Sequence, residues 1–240
     1  MKKCIKAMAA VISLSVAFSA ISVCVSAKDT ADTAFTASFS TDSAETIVGG
    51  WSVNTGSTAL KKNPEAKKAL TKALKKYKDA KIEPVAYLAS QVVAGTNYCF
   101  ICRTTDATED ARPEIKLVYV YADLSGNAEI TGFQTVIGKL LPGGYEANEG
   151  KFKLGNNKTV KKALKKAAKG LAGIDYEPVA YLGSQVVAGS NYMILVRVKD
   201  NDTEVKAGYY LVSVYADLNG NAEINEIAPL AFGNIDEYTE

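Results

Sequence analysis

Histidine is absent from this chain of 240 residues, and several other chemically useful residues are scarce. The chain has four cysteines, three methionines and one tryptophan. Without histidine it cannot form a Ser-His-Asp triad, a Cys-His pair or a His-ligated metal site. It also lacks the glycine-rich loops that bind phosphates or dinucleotides. We therefore predict that the protein is not an enzyme and needs no metal or cofactor.

The amino terminus has the features of a secretory signal. Three lysines within the first six residues precede an uncharged apolar run over 7–25, and small residues occupy Val25-Ser26-Ala27. This pattern predicts a signal peptide at 1–27, cleaved after Ala27, and hence a secreted, extracellular protein. A lipid anchor on Cys24 is the alternative, because Ile21-Ser22-Val23-Cys24 is a loose lipobox.

Net charge gives no reason to expect a nucleic-acid partner. Removing residues 1–27 deletes three of the 28 basic residues and none of the 26 acidic ones, which leaves a net charge of −1. No later stretch approaches the ~20 apolar residues of a membrane span, so we expect no stable membrane insertion. Residues 28–46 are rich in Thr, Ser, Ala and Asp and predict a flexible linker.

The rest of the chain consists of two copies of one unit, and equivalent residues of the two copies are 94 positions apart. Glu83–Leu88 recurs at 177–182, and Gln91–Gly95 recurs at 185–189. From 83 to 130, about 28 of 48 positions are identical to their counterparts. Such a long period is typical of a duplicated small domain, which we place at 47–140 and 141–236.

Each unit has the pattern of one helix followed by four strands, with a short extra strand near Trp51. The helices have a single apolar stripe and many lysines, with Asn63 and Asn157 at their N-cap positions. Two hairpins follow in each unit, with turns at Ala94–Asn97 and at Leu124–Asn127 in the first. This order predicts an α+β fold, with a helix packed on one face of an antiparallel sheet.

Two local motifs are interpreted as structural. Cys99 and Cys102 form a C-x-x-C spacing inside a predicted strand, where they would point to opposite faces and serve as small apolar fillers. An intermolecular disulfide between chains stays open as an alternative. Residues 217–224 resemble the start of a calcium loop, but Ala222 occupies the position that requires glycine, so a hairpin tip is the better interpretation.

The segment Gln91–Tyr98 resembles the Q-x-V-x-G hairpin of cystatins, which inhibit papain-like cysteine proteases. Gly49-Gly50, the helix and the later hairpin follow in the cystatin order, and both units share this order. Without paired C-terminal cysteines the chain is more similar to stefins. The resemblance implies two tandem cystatin-like domains, each with one helix on an antiparallel four- to five-stranded sheet. It also implies that a domain-swapped dimer can form when the first hairpin opens.

The resemblance further implies a non-covalent inhibitor that blocks the cleft of a papain-like protease, from a host or a competitor, with a Gly-Gly trunk and two hairpin tips. A non-inhibitory secreted or surface protein-binding module is the alternative. The second hairpin lacks the family's Trp and Pro in both units, which implies a weaker contribution from that hairpin. The trunk of the second unit is tied to the first unit, so we expect unit one to inhibit better. The implied protease-binding residues are Gly49, Gly50, Gln91, Val92, Val93, Ala94, Gly95, Leu124 and Ser125, followed by Gly143, Gly144, Gln185, Val186, Val187, Ala188, Gly189, Leu218 and Asn219.

Overall fold

Ten strands and two α-helices form the described part of the computed structural model. The structure describes residues 50–108, 111–138, 143–171, 174–199 and 205–234, with the side chains at 170 and 171 excepted. We call residues 50–138 copy one and residues 143–234 copy two. The predicted signal peptide, the predicted linker and the predicted boundary near Leu141-Pro142 lie outside the described residues.

The two copies repeat the same antiparallel meander around one helix. Neighbouring strands pair in chain order within each of the two five-stranded sheets. The predicted helix and both predicted hairpins are confirmed in each copy. Copy one contains β1 (Ser52–Val53), α1 (Pro64–Lys76), β2 (Ala80–Val93), β3 (Gly95–Asp106), β4 (Glu114–Ala122) and β5 (Ala128–Ile137). Copy two contains β6 (Glu146–Ala147), α2 (Lys158–Ala167), β7 (Tyr176–Val187), β8 (Gly189–Val198), β9 (Gly208–Ala216) and β10 (Ala222–Pro229).

Each helix packs its apolar stripe against one face of its own sheet. In α1 the buried residues are Ala66, Ala69, Leu70 and Ala73, at helical spacing, while most of the lysines are exposed. The Asn63 side chain does not cap the helix. Its amide instead donates to the carbonyls of Ser57 and Ala59, at 2.6 and 3.0 Å, and so holds the preceding loop.

The opposite faces of the two sheets pack on each other. One cluster of buried side chains draws on both copies, among them Leu88, Ile101 and Leu117 with Leu182, Leu195 and Tyr209. Separate clusters fill the space between each sheet and its helix. The described residues therefore form four layers, ordered helix, sheet, sheet and helix, and each sheet is buried on both faces.

The predicted fold class is wrong. The described residues are mostly β, with ten strands in two antiparallel sheets and 49% strand against 18% helix, which does not fit two tandem cystatin-like domains of the helix-on-sheet type. The prediction failed because it gave each sheet only one buried face. The second face is covered by the other copy, so the core of the molecule lies between the sheets.

Candidate functional site

The turn of the first hairpin is held tightly against the neighbouring strand. Val93 pairs with Gly95 across the turn, and Thr96 pairs with Ala122 of β4. Gly95 has φ +132°, and a Cβ placed there would lie 2.4 Å from the Ala122 carbonyl oxygen. Only glycine fits this position without displacement, because real Cβ atoms essentially never approach an atom that closely. Gly95 is buried and therefore shapes the turn rather than offering a contact surface.

Two side chains that the sequence analysis missed brace this turn. The Tyr121 hydroxyl donates to the Ala94 carbonyl at 2.6 Å, and the Asn97 amide donates to Gln91 Oε1 at 2.8 Å. In copy two, Tyr215 and Asn191 make the same bonds at 2.7 Å. Both residue types recur at the 94-residue offset, and this identity was the available signal for their role.

The braced turns expose apolar side chains. Val92 is 75% exposed and Val93 44%. Their counterparts in copy two, Val186 and Val187, are 80% and 42% exposed. Ala94 and Ala188 are exposed beside them, and Gly189 repeats the φ of +132°. The apolar side chains therefore stand on a turn whose backbone is held in place on one side by β4 or β9.

The second hairpin of each copy ends in an exposed leucine. Leu124 is 88% exposed, and Leu218 is 87% exposed in copy two. Asp123 closes the loop by accepting hydrogen bonds from the backbone and side-chain nitrogens of Asn127, at 2.7 and 2.8 Å. These bonds lower the pKa of the Asp123 carboxyl below its usual range. The loop is thus a hydrogen-bonded hairpin tip, as the sequence predicts. In copy two, Asp217 accepts the same two hydrogen bonds from Asn221.

The Gly-Gly segments lie beside the first hairpin turns. In copy one, Ser52 pairs with Ser90, which directs the exposed Gly50 toward Val92. Gly49 lies outside the described residues. In copy two, Gln185 Nε2 donates to the Gly143 carbonyl at 2.5 Å, and Gly143 is exposed while Gly144 is half-buried.

Three loop segments therefore meet at one end of each copy. We call Gly50, Gln91–Gly95 and Leu124–Gly126 tip one. Gly143–Gly144, Gln185–Gly189 and Leu218–Gly220 are tip two. Ser125 and Asn219 are exposed within them. Apart from the undescribed Gly49, the structure brings the predicted site residues of each copy together, with the two Gln side chains bracing the tips from within.

The tips also account for the exposed large hydrophobic side chains of the described residues. All six of them lie at a tip: Val92, Val93, Leu124, Val186, Val187 and Leu218. Scattered exposed leucines or valines need no explanation, but concentration at two loop ends is typical of interaction surfaces. The tips offer exposed apolar area to a partner.

No protein-family model matches the chain, and no curated protein matches it either. Within the described ranges, no group of three or more His, Cys, Asp or Glu residues is placed to hold a metal ion. No helix among the described residues is both long enough and apolar enough to cross a membrane.

The two described cysteines are buried on opposite faces of β3. Cys99 belongs to the core between the sheets, and Cys102 faces α1. Both are free and fully buried, and burial raises the pKa of both thiols. The alternative of an intermolecular disulfide is therefore wrong for the folded chain, since neither sulfur reaches the surface.

We expect thiol reagents to react with neither cysteine in the folded protein. In the chain from Lys28 onward, which contains only these two cysteines, labelling should be at least ~10³-fold slower than in guanidinium, because it requires unfolding. The measurement is mass spectrometry after timed exposure to a maleimide. Rapid native labelling, or a disulfide-linked dimer on a non-reducing gel, would contradict the assigned burial.

Proposed function

We propose that the chain from Lys28 onward is a secreted inhibitor of papain-like cysteine proteases that blocks the active-site cleft non-covalently. The observation that carries this proposal is the concentration of exposed large hydrophobic side chains at two braced tips. The motif resemblance of Gln91–Gly95 to the cystatin hairpin names the class of partner. A cleft that accepts an extended peptide is complementary to a narrow ridge of small and branched side chains.

The physical basis of inhibition is occlusion by a rigid surface. Val92 and Val93 lose water-exposed apolar area when they enter a groove, which favours binding by roughly 25 cal/mol per Å² before the costs of association. Because Tyr121 and Gly95 already fix the turn, little conformational entropy is lost on docking. The flanking Gly50 has no side chain to prevent close approach of its backbone to the cleft wall. No bond is made or broken, so the inhibitor needs no catalytic group.

Titration of papain tests this function. The variant Val92→Asp/Val186→Asp places a charge at the centre of each tip and should weaken inhibition at least ~100-fold, as expected when a central interface anchor is lost. Both valines are largely exposed, so the substitutions should leave the thermal unfolding midpoint nearly unchanged.

The matched control is Thr55→Asp/Asn156→Asp, which adds the same charges at exposed positions in the segments that precede α1 and α2, outside the tips. It should inhibit like the unaltered chain. If the unaltered chain does not inhibit papain, or if the control loses inhibition equally, the proposed function is wrong.

One observation favours a second candidate, a non-inhibitory secreted or surface protein-binding module. The second hairpins carry Asp123-Leu124 and Asp217-Leu218, where the family pattern has Trp or Pro. A carboxylate beside the exposed leucine suits a partner with a basic rim around an apolar pocket. This candidate predicts tip-dependent binding without loss of protease activity.

A domain-swapped dimer would require the first hairpin to open at Ala94, and size-exclusion chromatography with light scattering would detect it.

A further inference from the structure

The contacts between the copies are reciprocal, as in a two-fold dimer. Arg103 Nη1 donates to the Asn148 carbonyl at 3.0 Å, and Arg197 Nη1 donates to the Asn54 carbonyl at 3.2 Å. Residues 103 and 197 are equivalent, and so are 54 and 148, since both pairs differ by 94. Each arginine also pairs with a glutamate of its own copy, Glu83 or Glu177. The two copies therefore use the same surface to bind each other.

The first strand of each copy lies beside the far end of the other copy. Trp51, next to tip one, packs on Phe232, with ring centroids 6.1 Å apart. Phe232 lies just beyond the last residue of β10. This end of β10 is the one farthest from the Asp217–Asn221 loop of tip two.

The same arrangement holds around tip two. A cavity of about 130 Å³ brings Tyr145 and Glu146 of copy two against Arg112, Pro113 and Gly138 of copy one. These three residues lie at the ends of β4 and β5 that are farthest from the Asp123–Asn127 loop of tip one. Each tip is thus next to the far end of the other copy, which places the two tips at opposite ends of the molecule.

The separation of the tips is comparable to the length of the strands. β3 runs for 12 residues from Gly95, which at ~3.3 Å per residue spans roughly 35 Å. A small domain is about 30 Å across. Partners that approach from opposite ends therefore do not compete for space.

We propose that the protein is bivalent and holds two papain-like proteases at once, one at each end of a single rigid body. This inference rests on the proposed function, and it adds the stoichiometry and the geometry of the complex. The two hairpins that would insert are identical over Gln-Val-Val-Ala-Gly, with matching exposure and bracing. Because the tips share no residue, binding at one leaves the other accessible.

The test is to titrate papain with the chain from Lys28 onward and to weigh the complex by native mass spectrometry in excess papain. One chain should inhibit two equivalents of papain, and the complex should contain two proteases. Val92→Asp/Leu124→Asp should reduce both values to one, and so should Val186→Asp/Leu218→Asp. All four substitutions together should abolish binding. The single-tip variants also show which tip binds more tightly, and tip one is the predicted answer.

The outcomes separate the two proposals. If the unaltered chain inhibits one equivalent and one tip pair can be changed without effect, bivalency is wrong while inhibition stands. The affinity of the unaltered chain for the second papain is compared with the affinity of the variant in which only that same tip is intact. If the first affinity is more than about tenfold weaker, the tips are not independent. If no complex forms at all, the proposed function itself fails.

Discussion

Unfolding is expected to be one transition in which both copies lose structure together, even when only one of them is weakened. Leu70 in α1 and Leu164 in α2 are equivalent residues, 1% and 3% exposed in the helix-facing cores. Truncating either to alanine leaves a cavity and should cost about 2–5 kcal/mol. Because the sheets share the core that contains Leu88 and Leu182, neither copy can unfold without exposing the inner face of the other. Leu70→Ala and Leu164→Ala should therefore shift the same transition by similar amounts.

The chain offers a local probe for this experiment. Its only tryptophan, Trp51 of copy one, packs on Phe232 of copy two and so reports on the contact between the copies, whereas far-UV circular dichroism reports on the strands and helices of both. In guanidinium titrations, the fluorescence and dichroism curves should coincide for both variants. A dichroism curve with two steps for Leu164→Ala, with the second step at the unaltered midpoint, would show that the copies are independent domains.

The sequence predicts the local structure of this fold better than its layers. The amphipathic pattern of 64–77 and the turn at Ala94-Gly95 have local causes, namely helical periodicity and glycine conformation, and both are found where they were expected. The sheet-to-sheet packing depends on contacts between residues far apart in the chain, such as Arg103 with Asn148 and Trp51 with Phe232, which no local pattern specifies. This is why the α+β prediction failed.

A signal for the missing layer was nevertheless present. In β3, the consecutive residues Cys99, Phe100, Ile101 and Cys102 are all buried, and in β4 Leu117–Val120 are buried as well. A sheet with one solvated face should alternate apolar and polar residues. Continuous apolar runs indicate a strand buried on both faces, and the repeat itself supplies the second layer.

The candidate tips were located by motif, but their construction was not predictable from it. The motif groups five residues of Gln91–Gly95 as one contact surface. The structure divides them into exposed side chains, Val92, Val93 and Ala94, and supporting residues, Gln91 and Gly95. The division depends on Tyr121 and Ala122, which lie in another strand and become neighbours only through the β3–β4 pairing.

Replacing the supporting glycine is therefore expected to have a larger effect on the fold than replacing the exposed valines. Gly95→Ala places a Cβ 2.4 Å from the Ala122 carbonyl oxygen and 2.8 Å from the Tyr121 ring, at a φ of +132° that L-residues rarely adopt. The hairpin must move away from β4, which breaks the Tyr121–Ala94 hydrogen bond and costs about 2–4 kcal/mol. Gly189→Ala should behave alike, since its Cβ would lie 2.4 Å from the Ala216 carbonyl oxygen.

Gly143 supplies a comparison without a close approach. Gly143 also has a positive φ, +77°, but nothing lies within 4 Å of a Cβ placed there, so Gly143→Ala should cost only about 1–2 kcal/mol. Guanidinium midpoints of the three alanine variants supply the comparison. An effect of Gly143→Ala as large as that of Gly95→Ala would mean that the strand contact at Ala122 does not fix the turn. The exposed Val92 and Val93 would then stand on a mobile loop, and the entropic advantage that supports binding by a pre-formed tip would be lost.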